Sequence, residues 1–113
     1  TGAGISDVAA TYEQITSEEA KAIMDEQEDY IILDVRTQEE YDSGHIAGAI
    51  LIPDTEISTK AEIILEDKDA LILVYCRSGR RSKNAASELA TLGYTNVKEF
   101  GGINSWTYGT VSE

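Results

Sequence analysis

The chain has 113 residues, of which 42% are hydrophobic, a length that fits one domain with a single core. A net charge of −12 argues against nucleic acid and anionic membrane surfaces as partners, and the sequence has no apolar run long enough for a membrane span. The single cysteine, Cys76, excludes an intramolecular disulfide, a cysteine-based zinc cluster and a CxxC redox pair.

The first eleven residues are small and polar, and the chain begins at Thr1 rather than at Met. We predict a flexible leader over residues 1–11 and one domain over residues 12–113. Such a leader suits the mature end of an exported protein and equally suits a trimmed recombinant product. Cytoplasmic and exported locations therefore both stay open.

Segments of helical character alternate with short apolar runs along the rest of the chain. Thr16 and Glu19 form a capping box that predicts a helix to about Glu26. Further helices are expected over 39–43, after a cap at Asp54 and Thr55, over 82–92, and in a short final segment, 103–106. Strands are predicted over 30–34, 49–52, 70–75 and 96–100, the last of them ended by the glycines at 101 and 102.

This alternation predicts an α/β domain with a mostly parallel sheet and helices on both faces. The run 70–75 has no polar alternation and should be a central strand covered on both sides. Cys76 follows it directly and precedes a predicted helix. Ligands bind beyond the carboxyl ends of such strands, so Cys76 stands where a site is expected, although a buried core cysteine is the alternative.

The loop after Cys76 concentrates positive charge in an acidic chain. Four of the nine Lys and Arg residues are Arg77, Arg80, Arg81 and Lys83. Together with the helix N-terminus and the flexible backbone of Gly79, they favour an anion site that stabilises a thiolate or a bound oxyanion. A solvated basic turn is the alternative.

Two other groups of residues could support this site. Asp34, Arg36 and Glu40 could form an acid–base site, but a structural ion pair between Arg36 and Glu40 is the favoured interpretation, with Asp34 the acid expected to face the site. His45, the only histidine, could act as a base for Cys76. We favour a structural hydrogen bond instead, since no spacing brings His45 to the loop.

These segments, in this order, resemble the rhodanese family from about Tyr12 to Trp106. The resemblance implies a single rhodanese-like domain with a central, mostly parallel five-stranded sheet. It is carried by Asp34-Val35-Arg36 with Glu40-Tyr41, Gly44-His45-Ile46, Gly48-Ala49 and Ile52-Pro53, by Tyr75 through Cys76-Arg77-Ser78-Gly79-Arg80-Arg81-Ser82, by Ala86 through Leu89 to Gly93-Tyr94 and Val97, and by Gly101-Gly102-Ile103 with Trp106.

The resemblance also implies a sulfurtransferase activity. Cys76 would take a sulfane sulfur from a donor such as thiosulfate and pass it, as a persulfide, to cyanide or a thiol. The amides of Arg77, Ser78, Gly79, Arg80, Arg81 and Ser82 would cradle the persulfide, and Arg81 and Arg77, ahead of Arg80, would hold the donor's oxyanion. No metal or organic cofactor is implied. The implied partners are small sulfur-containing anions and thiol acceptors, a protein acceptor among them.

Loop length separates this activity from a related one. Phosphatases with the same fold place five residues between the cysteine and an arginine, whereas four separate Cys76 from Arg81 here and Ser82 occupies the phosphatase arginine's position. The shorter loop favours sulfur over phosphate. A non-catalytic binding or regulatory module is the main alternative. Phosphatase, arsenate reductase and redox-sensing thiol are weaker ones.

Overall fold

A five-stranded parallel sheet forms the centre of the computed structural model, which describes residues 12–112. The strands are β1 (Glu13–Gln14), β2 (Ile31–Asp34), β3 (Ile50–Leu51), β4 (Ile72–Cys76) and β5 (Val97–Gly102), and their order in the sheet is β1-β5-β4-β2-β3. Every pair is parallel. The predicted α/β fold is confirmed, while the leader predicted over residues 1–11 lies outside the described residues.

Four α-helices connect the strands and cover both faces of the sheet. They are α1 (Ser17–Glu26), α2 (Gln38–Ser43), α3 (Ile57–Ile64) and α4 (Arg80–Thr91), and 3-10 turns span Asp54–Glu56 and Ile103–Ser105. The capping box of Thr16 and Glu19 is present at α1, and Thr37 and Glu40 form a second one at α2. None of the helices within residues 12–112 is long and apolar enough to cross a membrane.

Strand β4 is buried along its whole length and supplies side chains to two separate cores. Ile72, Val74 and Cys76 belong to the cluster that includes the buried residues of α3 and α4, whereas Leu73 and Tyr75 belong to the cluster that contains Ala20 of α1. Successive side chains of a strand point to opposite faces. The thiol of Cys76 therefore lies on the α3 and α4 side of the sheet.

Several element boundaries differ from the prediction. Strand β1 was not predicted, because it has only two residues and both are exposed, so it leaves no hydrophobic pattern. The glycines at 101 and 102 do not end the last strand, because Gly102 pairs with Cys76 of β4. Asp54 and Thr55 do not cap a helix: they form a 3-10 turn, and α3 starts at Ile57 without a side-chain cap.

Candidate functional site

Cys76 ends the central strand and is completely buried, with 0% of its surface exposed. Its sulfur accepts a hydrogen bond from the backbone N–H of Gly79, at 2.9 Å between nitrogen and Sγ. Burial alone would fit a core cysteine as well as a nucleophile. The N–H directed at the sulfur distinguishes this position, because a backbone donor aimed at a thiol stabilises the anionic form of the sulfur.

Gly79 turns the loop so that its N–H faces inward. Its φ of 108° is in the left-handed region, which glycine adopts at no steric cost. A Cβ at this position would also lie 3.4 Å from the Cα of Gly101. Because of this turn, α4 begins at Arg80, two residues earlier than the predicted start near Ser82.

The end of β5 packs against the backbone of the loop. A Cβ on Gly102 would lie only 2.1 Å from the carbonyl oxygen of Arg77 and 2.6 Å from the Cα of Ser78, so only glycine fits there. The N–H of Asn104 donates to the same Arg77 carbonyl at 3.1 Å. The first half of the loop is therefore in backbone contact with the β5 end and the turn that follows it.

Ser82 is completely buried inside the first turn of α4. Its Oγ lies 2.5 Å from Oε2 of Glu99, 3.0 Å from the carbonyl oxygen of Gly79 and 3.2 Å from that of Gly101. Glu99 was not among the residues singled out from the sequence. The only signal was a carboxylate inside a predicted strand, which is more often an exposed strand position.

Arg81 is held by Glu40 rather than left open for a ligand. Its Nη1 and Nη2 donate to Oε1 and Oε2 of Glu40 at 2.7 and 2.9 Å. These bonds lower the pKa of Glu40 to about 2. These bonds also raise the pKa of Arg81, and the charge of Cys76 makes a smaller contribution to that rise. The ion pair fastens the start of α4 to the start of α2.

The predicted pair between Arg36 and Glu40 is therefore wrong, and so is the expectation that Asp34 faces the site. Asp34 is fully buried and binds Arg36, with 2.6 Å between Oδ2 and Nη2. It also accepts the hydroxyl of Tyr75 at 2.7 Å. A carboxylate two residues from an arginine can pair with it locally, which leaves Glu40 for the more distant Arg81.

His45 lies in the turn after α2, where its contacts are structural. Its Nδ1 donates to the carbonyl of Tyr41 at 2.8 Å, its ring stacks on the Tyr41 ring at 3.7 Å, and its backbone pairs with Val111. These contacts fit the favoured structural interpretation.

Three exposed cations without an acidic partner among residues 12–112 lie in the loop or in the first turn of α4. Six of the nine Lys and Arg side chains form ion pairs. The other three, Arg77, Arg80 and Lys83, are exposed and have no acidic partner among residues 12–112. Arg80 and Lys83 are three positions apart on α4 and so are neighbours on the helix surface.

The ion pair between Arg81 and Glu40 leads to an expected pH dependence. The pKa of Glu40 falls from 4.5 to about 2 on folding, so its contribution to stability is present above pH 4.5 and lost as the pH falls toward 2. At neutral pH we expect Glu40→Gln to be less stable by about 1 kcal/mol or less, since the pair is partly exposed. Thermal unfolding of both proteins from pH 6 to about pH 2 should show this difference shrinking. A difference independent of pH would contradict it.

Comparisons with known proteins give the family. The model of the family described as Rhodanese-like domain matches residues 16–108. Thiosulfate sulfurtransferase PspE of Escherichia coli is 39% identical over 71 residues, covering 63% of this chain and 68% of that protein. Thiosulfate sulfurtransferase GlpE of Coxiella burnetii is 33% identical over 96 residues, covering 84% and 87%.

A solved structure agrees. The rhodanese-related protein of Thermoplasma volcanium superposes with a TM-score of 0.78 and 34% identity, over 90% of this chain and 100% of that one. The residues that the family model matches include β2 to β5 and the Cys76 loop. This chain belongs to the rhodanese-like domain family.

Proposed function

We propose that the protein is a sulfurtransferase that carries a sulfane sulfur as a persulfide on Cys76. The observation that supports this most is the hydrogen bond from the Gly79 N–H to the sulfur of Cys76, 2.9 Å long, at the carboxyl end of the central strand. Two relatives bear the name thiosulfate sulfurtransferase. A loop with four residues between Cys76 and Arg81 fits sulfur better than phosphate.

The reaction consists of two displacements at sulfur. The thiolate of Cys76 attacks the outer sulfur of thiosulfate. A bond forms between Sγ of Cys76 and that outer sulfur, while the sulfur–sulfur bond within thiosulfate breaks and releases sulfite. Cyanide or a thiolate then attacks the outer sulfur of the persulfide and leaves with it, which regenerates the thiolate. Neither displacement needs a metal or an organic cofactor.

The three cations that have no acidic partner within residues 12–112 indicate which kind of donor and acceptor would bind. Arg77, Arg80 and Lys83 would attract an anion toward a molecule whose net charge is −12 and which otherwise repels it. Arg81 is held by Glu40, so Arg77 and Arg80 are the better candidates for the donor's oxyanion. The proposed partners are small sulfur-containing anions and anionic thiols, including a thiol on a protein.

Cys76 is fully buried, and the exposed Arg80 lies four positions after it at the start of α4, where we expect a donor to approach. Arg80→Glu is expected to raise the KM for thiosulfate about twofold to fivefold, the range expected for one exposed charge. The effect should shrink in high salt, because exposed charges are screened. Lys21→Glu makes the same change in net charge on α1, whose side chains pack on the other face of the sheet, and should leave KM unchanged. Equal KM values in the two variants would contradict the role of Arg80.

The function is tested by incubating the protein with thiosulfate and cyanide. Thiocyanate should form at a rate that depends on enzyme concentration, and intact mass after thiosulfate alone should show one added sulfur that cyanide removes. If neither the sulfur adduct nor thiocyanate forms, the sulfurtransferase proposal is wrong, and a non-catalytic binding module becomes the favoured function. Hydrolysis of an aryl phosphate without sulfur transfer would favour a phosphatase.

A further inference from the structure

Glu99 of β5 is a completely buried carboxylate that lies beneath the Cys76 loop. Its Oε2 accepts two hydrogen bonds, from the hydroxyl of Ser82 at 2.5 Å and from the N–H of Gly101 at 2.8 Å. Its Oε1 accepts a longer one, at 3.3 Å, from the side-chain amide of Gln14 in β1. All three donors are neutral.

A buried carboxylate normally has a cationic partner, because moving a charge out of water is costly. In the part of the chain that the structure describes, Glu99 forms no ion pair. Lys98, the adjacent residue on β5, pairs with Glu13 instead. Burial of an acid without a countercharge costs stability, and this acid lies next to the loop that holds Cys76.

The contacts of Glu99 connect it to the sulfur. The Ser82 hydroxyl that it binds is also 3.0 Å from the carbonyl of Gly79, and the N–H of Gly79 contacts the sulfur of Cys76. The position of a Cβ on Gly79 is 3.8 Å from Oε2 of Glu99. Glu99 thus joins the first turn of α4 to the end of β5 directly behind the Gly79 turn.

We propose that Glu99 is a positioning residue for Cys76, which holds the Gly79 turn against the sulfur and whose negative charge sets the pH range over which Cys76 reacts. The inference rests on the proposed function only in treating Cys76 as the nucleophile. A nearby negative charge disfavours a second one, so Glu99 opposes the thiolate that the loop stabilises. Removing the charge should let Cys76 react at lower pH.

Other charged groups face this pair from the surrounding elements. Tyr12, before β1, has its pKa raised by burial and by the charge of Glu99. On the loop side, Arg81 interacts with the charge of Cys76, and Arg77 and Arg80 are exposed. From β4, the residue in register with Glu99 is the apolar Val74. The variants below leave all of these residues in place.

Charge and geometry can be separated because both loop donors bind the same oxygen. In Glu99→Gln, the amide carbonyl at the place of Oε2 can accept from both Ser82 and Gly101, and Gln14 can turn its own carbonyl toward the new amide N–H. This variant removes only the charge. Glu99→Ala removes the charge and all three hydrogen bonds. Glu13→Gln, on the neighbouring strand and exposed, is the matched control for loss of one charge.

The experiment measures two quantities for each protein. The first is the rate of Cys76 alkylation by iodoacetamide as a function of pH, which needs no sulfur donor. We expect the Glu99→Gln profile to move to lower pH and the Glu13→Gln profile to match the wild type. The second is thiocyanate formation at saturating thiosulfate. Glu99→Ala should lower kcat about tenfold to a hundredfold, as for a misplaced reacting group, and Glu99→Gln should retain most of it.

A Glu99→Gln profile that superimposes on the wild type would overturn the charge effect, and wild-type kcat in Glu99→Ala would overturn the positioning role. If Glu99→Ala does not fold, Ser82→Ala tests the same contact, and wild-type kcat in that variant would count against it. If the wild type forms no thiocyanate, the proposed function fails, whereas the alkylation profiles still decide on Glu99.

Discussion

Replacing Cys76 with serine is expected to abolish sulfur transfer, by at least about a thousandfold, while the protein stays folded. A serine hydroxyl is not ionised at neutral pH and cannot form the persulfide, so both displacements lose their nucleophile. Its oxygen can still accept the N–H of Gly79, which keeps the loop geometry. Thiocyanate formation and intact mass after thiosulfate measure the effect, and no added sulfur should appear.

Cys76→Ala is the companion variant, because it also removes the acceptor for the Gly79 N–H. That group would then be buried without a partner, which costs about 1–3 kcal/mol. Both variants should be inactive, but only Cys76→Ala should show the full loss in thermal stability. Turnover retained in either variant would place the reaction at another residue.

Gly102→Ala is expected to lower sulfur transfer by about a hundredfold. The backbone at Gly102, with φ of −132°, suits any residue, so conformational strain is not the cause. The new Cβ would lie 2.1 Å from the carbonyl oxygen of Arg77, and both groups belong to backbone held in place by neighbours. The loop must move, and the Gly79 N–H moves away from the sulfur. Thiocyanate formation measures the loss.

Gly101→Ala separates this collision from backbone strain. Gly101 has φ of +90°, which alanine adopts at a cost of about 1–2 kcal/mol, but a Cβ there meets nothing within 4 Å. We expect Gly101→Ala to unfold at a lower temperature yet keep most of its activity. In Gly102→Ala, the larger effect should be the loss of activity. Wild-type activity in Gly102→Ala would show that the loop does not depend on this contact.

The sequence correctly predicted those features of the fold that depend on residues close together in the chain. The capping box at Thr16, the uniformly apolar β4 and the position of Cys76 after it all follow from short segments. The two-residue β1 could not be found in this way, because its place in the sheet comes from pairing with Lys98 and Glu99 rather than from its own composition.

The supporting residues of the site were harder to predict, because their partners are distant in sequence. Glu40 and Arg81 are 41 positions apart, so the local spacing of Arg36 and Glu40 suggested the wrong pair. The two glycines of β5 were interpreted as a strand end for the same reason. The small size of Gly102 makes room for a loop that lies 24 positions earlier at Ser78 and 25 at Arg77, and composition cannot show such a contact.

The alternation of β4 between two cores links correct folding to the presence of the site. A slip of the strand by one residue would exchange its faces, bringing the Tyr75 ring to the place of the thiol and burying the thiol against α1. The Tyr75 hydroxyl would then lose Asp34 and the N–H of Ile46. A slipped chain would therefore lose these buried hydrogen bonds and would also move the Cys76 thiol away from the N–H of Gly79, so the register of β4 determines both the stability of the fold and the placement of the thiol.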